Sequence, residues 1–343
     1  MKSKIRFGIV GTGYFSKFHF DAWKRLGVNI VAICSLNENE AIYFSKKFNN
    51  CPIYLNFKKM LLEIDLDFVD IITPPKDHLK LIKIAAKKNV NIICQKPFTN
   101  SYFEALQAVN FTNKNNVLLI VHENFRFQPW YLKIKKILEN NSLGELYQFY
   151  FRMRPGDGQG KGAYLNRQPY FQKMERFLIH ETAIHFIDVF RLLFGEIDTV
   201  FANLSKLNKH IIGEDAGYVI FNFKNGVRGI FDGNRLSDHI ATDRRLTIGE
   251  LIIEGSSGTL RLNGNGDLFK RNFGSNKEIK ISYKWDKKGF AGDSVFKCQS
   301  HILDHYIKGK VLFNSANDYL KNLKVEHFIY KSNSTGKILK IKT

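Results

Sequence analysis

The sequence predicts an α/β protein in which a parallel sheet flanked by helices is followed by an α/β domain with an open, mostly antiparallel sheet. The chain has 343 residues, which is more than a single domain usually holds. Residues 5–122 alternate short apolar runs with helical patterns, as parallel sheets do. Beyond residue 124, strand patterns follow one another without intervening helices, which favours antiparallel pairing. We therefore predict one domain over residues 1–123 and a second over residues 124–343.

The predicted elements of the first half each carry a local signal. The strands are short runs rich in β-branched and aromatic residues. The two clearest helices have apolar residues at helical spacing, and Ser101 with Glu104 forms a capping box before the second. The predicted strands are Ile5 to Val10, Asn29 to Cys34, Phe68 to Ile72, Asn91 to Cys94 and Val117 to Val121, and the helices are His78 to Lys88 and Ser101 to Asn113.

The second half combines period-two stretches with helical patterns. Glycine and asparagine turns separate the strands, and a glycine-rich polar loop covers Pro155 to Gln168. The predicted helices are Trp130 to Glu139, Phe177 to Phe194, Val295 to Lys308 and Asn317 to Ser332, and the predicted strands are Leu146 to Arg152, Thr199 to Ser205, Ala216 to Phe223, Val227 to Asp232, Glu250 to Glu254 and Thr259 to Leu262.

The composition is that of a globular protein, with 44% apolar and 24% charged residues. A formal net charge of +20 is compatible with a nucleic-acid partner. The lysines are dispersed, however, and short pairs such as Lys87-Lys88 occupy solvent-facing helical positions. We therefore expect a basic surface and no nucleic-acid partner.

Cysteine usage and hydropathy indicate where the protein works. The four cysteines have neither paired nor zinc-binding spacing, so we expect buried free thiols. No apolar run is long enough to cross a bilayer, and Gly11 and Gly13 interrupt the apolar start before a signal-peptide core develops. We expect a cytoplasmic protein with no membrane partner.

The first predicted strand runs into a G-x-G-x-x-S turn ahead of a helix. The first glycine permits the tight turn, and the second lets a pyrophosphate approach backbone amides at the positive end of the helix. Ser16 replaces a third, packing glycine with another small residue. This context favours a dinucleotide site over a turn that merely needs glycine. The residues of this predicted site are Gly11, Thr12, Gly13, Tyr14 and Phe15.

The second strand of a dinucleotide-binding domain usually ends in an acid that binds the adenosine ribose. Ser35, followed by Leu36, stands at that point, and Glu38 comes too late and is predicted on a helix surface. Because neither a carboxylate nor an adjacent arginine is present, NAD and NADP both stay open, with a preference for NAD.

Polar residues follow three later strands, and ligands of open α/β sheets bind at the carboxyl ends of strands. Lys96, at the mouth of a buried strand, loses hydration and is suited to holding a substrate hydroxyl. The Lys96-Pro97 bond could be cis or trans. The three groups are Thr73 and Pro74 with His78, then Gln95-Lys96-Pro97, then the segment from His122 through Asn124 and Arg126 to Pro129.

The segment from Phe177 onward is predicted to be a helix with Glu181, His185 and Asp188 at i, i+4 and i+7, on one face. A histidine near two acids suits proton transfer. The alternatives are solvated acids or a zinc site. The spacing of His180 and His185 differs from that of zinc proteases, so no metal is expected. His180 is predicted to face the substrate or to be structural.

Four motifs together resemble the Gfo/Idh/MocA oxidoreductase family, in order and over nearly the whole chain. The resemblance implies a Rossmann domain followed by a domain whose open antiparallel sheet often supports dimers or tetramers. It also implies activity on sugars or cyclitols. The blocks His122 to Trp130 and Phe231 to His239 are similar to those of members that act on free aldoses. The motifs are G-x-G-x-x-S, Gln95-Lys96-Pro97, Asn124-Phe-Arg126-Phe and Glu181-x-Ala-x-His185-x-x-Asp188.

By this resemblance Lys96 and His185 are the catalytic pair. The family's usual E-K-P is Gln95-Lys96-Pro97 here, which removes a charge near the nicotinamide. Its D-x-G-x-H begins with Glu181 here, which keeps the charge on a longer arm. The residues implied to line the cofactor are Pro74, His78, Gln95 and Asn124.

We therefore expect reversible dehydrogenation of a sugar carbinol, in which hydride passes to the nicotinamide, His185 takes the proton and Lys96 holds the reacting oxygen. A ketoreductase acting on a nucleotide-linked sugar is one alternative, and a non-catalytic sensor that binds the cofactor is another. The further residues predicted to contact the sugar are Arg126, Trp130, Arg152, Tyr164, Glu181 and Asp188.

Overall fold

The computed structural model describes residues 4–341 and divides into two compact units. Unit 1 comprises Met1–Asn124 and Ser294–Leu323, and unit 2 comprises Phe125–Asp293 and Lys324–Thr343. Residues 294–323 thus belong to unit 1 although they come late in the chain. No pattern in the sequence indicated this return.

Unit 1 is built on a sheet of six parallel strands. The strands are β1 Arg6–Val10, β2 Asn29–Cys34, β3 Ile53–Tyr54, β4 Phe68–Ile71, β5 Asn91–Gln95 and β6 Leu119–His122. The helices between them are α1 Ser16–Leu26, α2 Glu38–Ser45, α3 Phe57–Glu63, α4 His78–Ala86 and α5 Tyr102–Lys114. The strand order β3-β2-β1-β4-β5-β6 is the predicted Rossmann arrangement, whose order reverses between β1 and β4.

Short elements and helix caps account for the local differences from prediction. β3, α2 and α3 are absent from the prediction because 2, 8 and 7 residues carry little periodicity. Asn37 and Asn56 cap α2 and α3 through their side chains. At α5, Ser101 Oγ accepts from the Glu104 amide at 3.2 Å, but the Glu104 carboxylate accepts from the Asn100 amide at 3.1 Å. The predicted capping box therefore closes one residue early.

Unit 2 contains a mixed, mostly antiparallel sheet. Its helices are α6 Pro129–Glu139 and α7 Ile184–Phe194. Two further helices, α8 Ser294–Lys308 and α9 Ala316–Thr335, follow later in the chain. The strands are β7 Leu146–Met153, β8 Ile197–Ser205, β9 Ala216–Phe223, β10 Arg228–Asn234, β11 Gly249–Gly255, β12 Gly258–Leu262, β13 Leu268–Asn272, β14 Glu278–Ile281 and β15 Leu339–Lys340. Their order is β14-β13-β12-β11-β7-β10-β9-β8-β15, with β7 and β10 pairing in parallel. The predicted sheet type is confirmed.

Helix α7 covers one face of this sheet through aromatic contacts. Along β7 the side chains of Phe149 and Phe151 are buried, and Arg152 points the other way. The Phe149 ring lies 4.6 Å from that of Phe190, and the Phe151 ring lies 4.2 Å from that of Phe186, both on α7. Arg152 therefore leaves the sheet on the face opposite α7.

The four cysteines are buried thiols outside any disulfide, as predicted. Within residues 4–341 no helix is both long and apolar enough to span a membrane. Within the same residues no three His, Cys, Asp or Glu side chains gather closely enough to hold a metal ion.

Candidate cofactor and substrate sites

The turn after β1 requires glycine at its first position. Gly11 has φ +100°, and its amide donates to the Cys34 carbonyl at 2.8 Å. A Cβ at Gly11 would lie 2.8 Å from the Ile72 carbonyl oxygen, which follows β4. Both the left-handed backbone and this close approach exclude a side chain. The turn therefore draws together the ends of β1, β2 and β4.

Gly13 has the opposite surroundings, because a Cβ there would meet nothing within 4 Å. The Gly13 carbonyl accepts from the amide of Ser16 at 3.0 Å and from its hydroxyl at 2.7 Å. Serine at the third motif position thus locks the turn by hydrogen bonding. The first turn of α1 contains no acidic residue and no side-chain cap. Open space over Gly13 at the positive end of α1 suits a phosphate.

The end of β2 carries hydroxyl groups at the point where dinucleotide-binding domains usually have a carboxylate. The hydroxyls of Thr12 and Ser35 are 2.7 Å apart, and Ser35 Oγ also accepts from the Asn37 amide at 3.1 Å. Leu36 is 93% exposed. Glu38 is the first residue of α2 and is exposed, as predicted.

The ring of His78 is held between two of the loops beside this turn. It is fully buried, with Nδ1 2.9 Å from the Phe98 carbonyl and Nε2 2.7 Å from the Thr73 carbonyl. Burial lowers the pKa of His78, although the two carbonyls act against this. Its ring thus ties the loop after β4 to the loop after β5. Pro74, next to Thr73, is exposed.

Gln95 is the last residue of β5 and anchors the backbone of Lys96. Its Oε1 accepts from the Lys96 amide at 2.7 Å, and its Nε2 lies 2.8 Å from His19 Nε2. The Lys96-Pro97 bond is cis, which the sequence left open. After β6, Asn124 is buried and its Nδ2 donates to Ser294 Oγ at 2.7 Å.

The helix that carries His185 begins as a π-helix. Leu178–Ala183 have π geometry, and α7 starts at Ile184. The Glu214 carboxylate accepts from the amides of Phe177 at 3.1 Å and Ile179 at 3.2 Å, so it caps this segment from a distant part of the chain. The prediction that Glu181, His185 and Asp188 share one α-helical face is corrected, because Glu181 lies in the wider turn.

Each acid of this motif is held by an arginine. Asp188 Oδ2 and Oδ1 accept from Arg126 Nε at 2.7 Å and Nη2 at 2.6 Å, in a buried fork. Glu181 Oε2 accepts from Thr182 Oγ1 at 2.5 Å and lies 3.4 Å from Arg235 Nη1. Arg126 and Asp188 were predicted as separate sugar contacts, but the structure pairs them with each other.

Arg235 was not singled out by the sequence reasoning. It donates to Asp157 at 2.8 Å and to Thr182 at 2.6 Å, and its guanidinium lies 4.4 Å from the Phe177 ring centre. Its buried side chain therefore links the loop after β7 to the π-helix. The available signal was its place in the Phe231 to His239 block.

The two histidines of the motif have different surroundings. His185 is buried and stacks on Phe125, with ring centres 3.7 Å apart and planes within 6°. His180 Nδ1 lies 2.8 Å from Glu326 Oε1. Burial opposes charging of His180, but the Glu326 carboxylate outweighs it and raises the pKa of His180 above its usual value. His180 is thus paired with Glu326 in the interior of unit 2, and its role, structural or facing the substrate, stays a prediction.

Three other predicted sugar contacts lie apart from His185 or inside the fold. Trp130 is fully buried, with its ring centre 5.7 Å from that of Trp285. Arg152 donates to Glu250 at 3.1 Å on the opposite face of the sheet from α7. Tyr164 packs in a buried cluster with Phe171.

A Rossmann sheet with an open glycine turn, followed by a mostly antiparallel domain, is the architecture of two-domain dinucleotide-dependent oxidoreductases. The chain belongs to the Gfo/Idh/MocA oxidoreductase family. Residues 5–123 match the model described as the oxidoreductase family with an NAD-binding Rossmann fold, and residues 131–261 match the Gfo/Idh/MocA C-terminal domain.

Two named relatives and one solved structure are similar to this protein over almost the whole chain. The D-apiose dehydrogenase of Paraburkholderia graminis is 29% identical, over 99% of this chain and 90% of that protein. The D-apiose dehydrogenase of Rhizobium rhizogenes is 28% identical, over 99% of this chain and 98% of that protein. An oxidoreductase from Agrobacterium radiobacter, solved with NAD+, L-tartaric acid and magnesium, has a TM-score of 0.87 at 28% identity and covers 98% of both chains.

Proposed function

We propose that this protein is an NAD(P)-dependent sugar dehydrogenase. It oxidises a carbinol of a free aldose and so converts the aldose to its lactone. The observation that carries the proposal is the likeness, along almost the entire chain, to two proteins named D-apiose dehydrogenase. Those names concern a free aldose, so a free sugar is favoured over a nucleotide-linked one.

The first domain, residues 1–123, is proposed to hold the cofactor. Gly13 leaves room for a phosphate at the start of α1, and no acidic side chain in the first helical turn opposes one. Ser35 and Leu36 would face the adenosine ribose, and the loop at Thr73 and the Gln95 to Pro97 segment would border the nicotinamide. When bound, the nicotinamide supplies the hydride acceptor.

The second domain, residues 124–343, is proposed to contribute the base and sugar contacts. His185 would take the hydroxyl proton, and its stacking on Phe125 fixes the ring plane. Lys96, from the first domain, would donate a hydrogen bond to the same oxygen and stabilise negative charge as the proton leaves. Glu181 is retained as a sugar contact, oriented by Arg235. Arg126 and Asp188 are no longer proposed as sugar contacts, and their ion pair is proposed to hold α7 in place.

The open face of the sheet is proposed to join copies of the chain into a dimer or tetramer. Five apolar or aromatic side chains lie in register across adjacent strands on the face away from α7, and Ile220 and Ile230 are 37% and 40% exposed. Such a stripe on a sheet face supports association with a like surface. The five residues are Phe201, Ile220, Ile230, Tyr150 and Ile252.

The deciding experiment follows reduced-nicotinamide absorbance with purified protein, NAD or NADP, and a panel of aldoses including D-apiose, ketoses, cyclitols and sugar nucleotides. The expected result is turnover with at least one free aldose and formation of its lactone. Turnover confined to sugar nucleotides would favour the ketoreductase alternative. Cofactor binding by calorimetry without any turnover would instead favour a sensor.

A further inference from the structure

We propose that His19 is a positioning residue that acts through Gln95 on Lys96. The inference rests on the proposed role of Lys96 in holding the reacting oxygen. Its basis is a buried chain of hydrogen bonds that joins α1, β4 and β5. His19 and Asp70 are 0% exposed and Gln95 is 6% exposed, so water does not compete for these bonds.

The hydrogen bonds run from a buried carboxylate to the backbone of Lys96. Asp70 Oδ2 lies 2.7 Å from His19 Nδ1, and His19 Nε2 lies 2.8 Å from Gln95 Nε2. Gln95 Oε1 then accepts from the Lys96 amide at 2.7 Å. Trp23 Nε1 also donates to Asp70 Oδ2, at 2.8 Å, which orients the carboxylate.

The donor and acceptor in each of these hydrogen bonds follow from the groups at the two ends of the series, the Lys96 amide and the Asp70 carboxylate. A backbone amide can only donate, so Gln95 must turn its oxygen toward Lys96 and its amide group toward His19. His19 Nε2 must then carry the lone pair, and the single ring proton must sit on Nδ1, which lies 2.7 Å from Asp70 Oδ2. The arrangement therefore requires a neutral His19 in one tautomer.

Protonation of His19 would break this order. A proton on Nε2 would face the Gln95 amide group, so Gln95 would have to rotate and release the Lys96 amide. The polar groups that face the His19 ring are the Asp70 carboxylate, the Gln95 amide and the ring of His122, whose centre lies 4.1 Å away, and the Phe15 ring centre lies 5.8 Å away. The Gln95 amide group, as a donor to Nε2, favours the neutral imidazole, so glutamine at position 95 is matched to neutral His19.

Nitrogen NMR of the histidine side chains in the full-length protein tests the tautomer without any activity measurement. His19→Gln identifies the His19 signal among the ten histidines by its loss. The expected wild-type signal is the neutral Nδ1–H form near neutral pH. In Gln95→Glu the signal is expected to become that of imidazolium, because a carboxylate would then accept from Nε2. A wild-type Nε2–H tautomer, or an unchanged signal in Gln95→Glu, would overturn the proposal.

Steady-state kinetics test the positioning. His19→Leu removes the acceptor for the Gln95 amide group. We expect kcat to fall about 10- to 100-fold, which is the loss typical of a misplaced catalytic group, while the KM for the cofactor stays nearly constant. His19→Gln restores an acceptor near the Nε2 position and should recover most of that loss. Equal kcat values in both variants would overturn the proposal. If His19→Leu does not fold, Gln95→Met, which removes the acceptor of the Lys96 amide, is expected to lower kcat likewise, and an unchanged kcat would overturn the proposal.

Lys96→Ala distinguishes a failure of the proposed role of Lys96 from a failure of the positioning role of His19. If this variant keeps full turnover, the proposed role of Lys96 fails, and with it the reason for positioning Lys96. If it loses turnover while His19→Leu keeps it, the relay alone fails and the proposed function stands.

Discussion

At the scale of single residues, two side chains carry the proposed chemistry and each is held by its neighbours. The backbone of Lys96 is bound by Gln95, and the ring of His185 lies flat on Phe125. Gln95 and Phe125 are not themselves proposed to touch the substrate, but each limits the directions in which Lys96 or His185 can point. Preorganisation of this kind is where an enzyme gains much of its rate.

Lys96→Ala and His185→Ala are each expected to lower kcat/KM by about 10²- to 10⁴-fold, the range for losing one acid–base or charge-stabilising group. Steady-state assays with the best sugar of the panel measure this. Lys88→Ala, an exposed lysine after α4, is the matched control and should behave as wild type. Full activity in either site variant would remove that residue from the catalytic pair.

Ser35→Asp is expected to shift preference toward NAD. A carboxylate at the end of β2 would accept from ribose hydroxyls and repel a ribose phosphate, so the ratio of kcat/KM for NAD over NADP should rise by about tenfold or more. Ser35→Ala, which removes the hydroxyl without adding charge, serves as the control. An unchanged ratio in Ser35→Asp would show that the ribose does not lie at this residue.

At the scale of elements, the π-helix of Leu178–Ala183 depends on charged side chains from elsewhere in unit 2. Glu214 caps its first amides, Arg235 holds Glu181, and Glu326 pairs with His180. A π-turn is rare and needs such support. These contacts determine where α7 begins, and therefore where His185 lies.

Glu326→Gln tests one of these contacts through its pH dependence. Because the pKa of His180 is raised in the folded protein, the pair's stabilisation is fully present below the ordinary histidine pKa and is lost as pH rises through the folded value. The variant should lower the free energy of unfolding by about 3 kcal/mol near pH 6, and by less near pH 8. Urea unfolding at both pH values measures this. Equal losses would contradict the assignment.

Asp188→Asn addresses the support of α7. It would leave the buried Arg126 guanidinium without its charge partner, so a loss of about 3 to 5 kcal/mol in unfolding free energy is expected. Thermal and urea unfolding detect it. The double variant Arg126→Met with Asp188→Leu should recover part of the loss, since it removes both charges. A stable Asp188→Asn protein with impaired sugar KM would restore Asp188 to the sugar contacts.

At the scale of the whole molecule, the sheet of unit 2 has two unlike faces. One is covered by the aromatic residues of α7, and the other carries the stripe from Phe201 to Ile252. Ile230→Asp should therefore shift the protein to a smaller species in sedimentation velocity. Lys224→Asp, which also places a carboxylate at an exposed position, the turn after β9, is the control. A monomeric wild type would contradict the association.

Most of the fold could be predicted from local patterns, because periodicity and turn chemistry depend on residues close in sequence. Five of the six strands of the first sheet and the type of the second sheet were predicted. The site was predicted less fully. The motifs pointed to Lys96 and His185, but Arg126, Asp188 and Trp130 have the same polar or aromatic character whether they bind a sugar or support the interior.

The sequence by itself determined the Rossmann turn, since any strand-to-helix phosphate turn needs a glycine such as Gly11 for its backbone geometry and open space such as that over Gly13. Only the tertiary structure decided which charges are paired. Arg126 and Asp188 are 62 residues apart and His180 and Glu326 are 146 apart. Such pairs have no periodic signature, because folding, and not neighbouring sequence, brings their atoms within hydrogen-bonding distance.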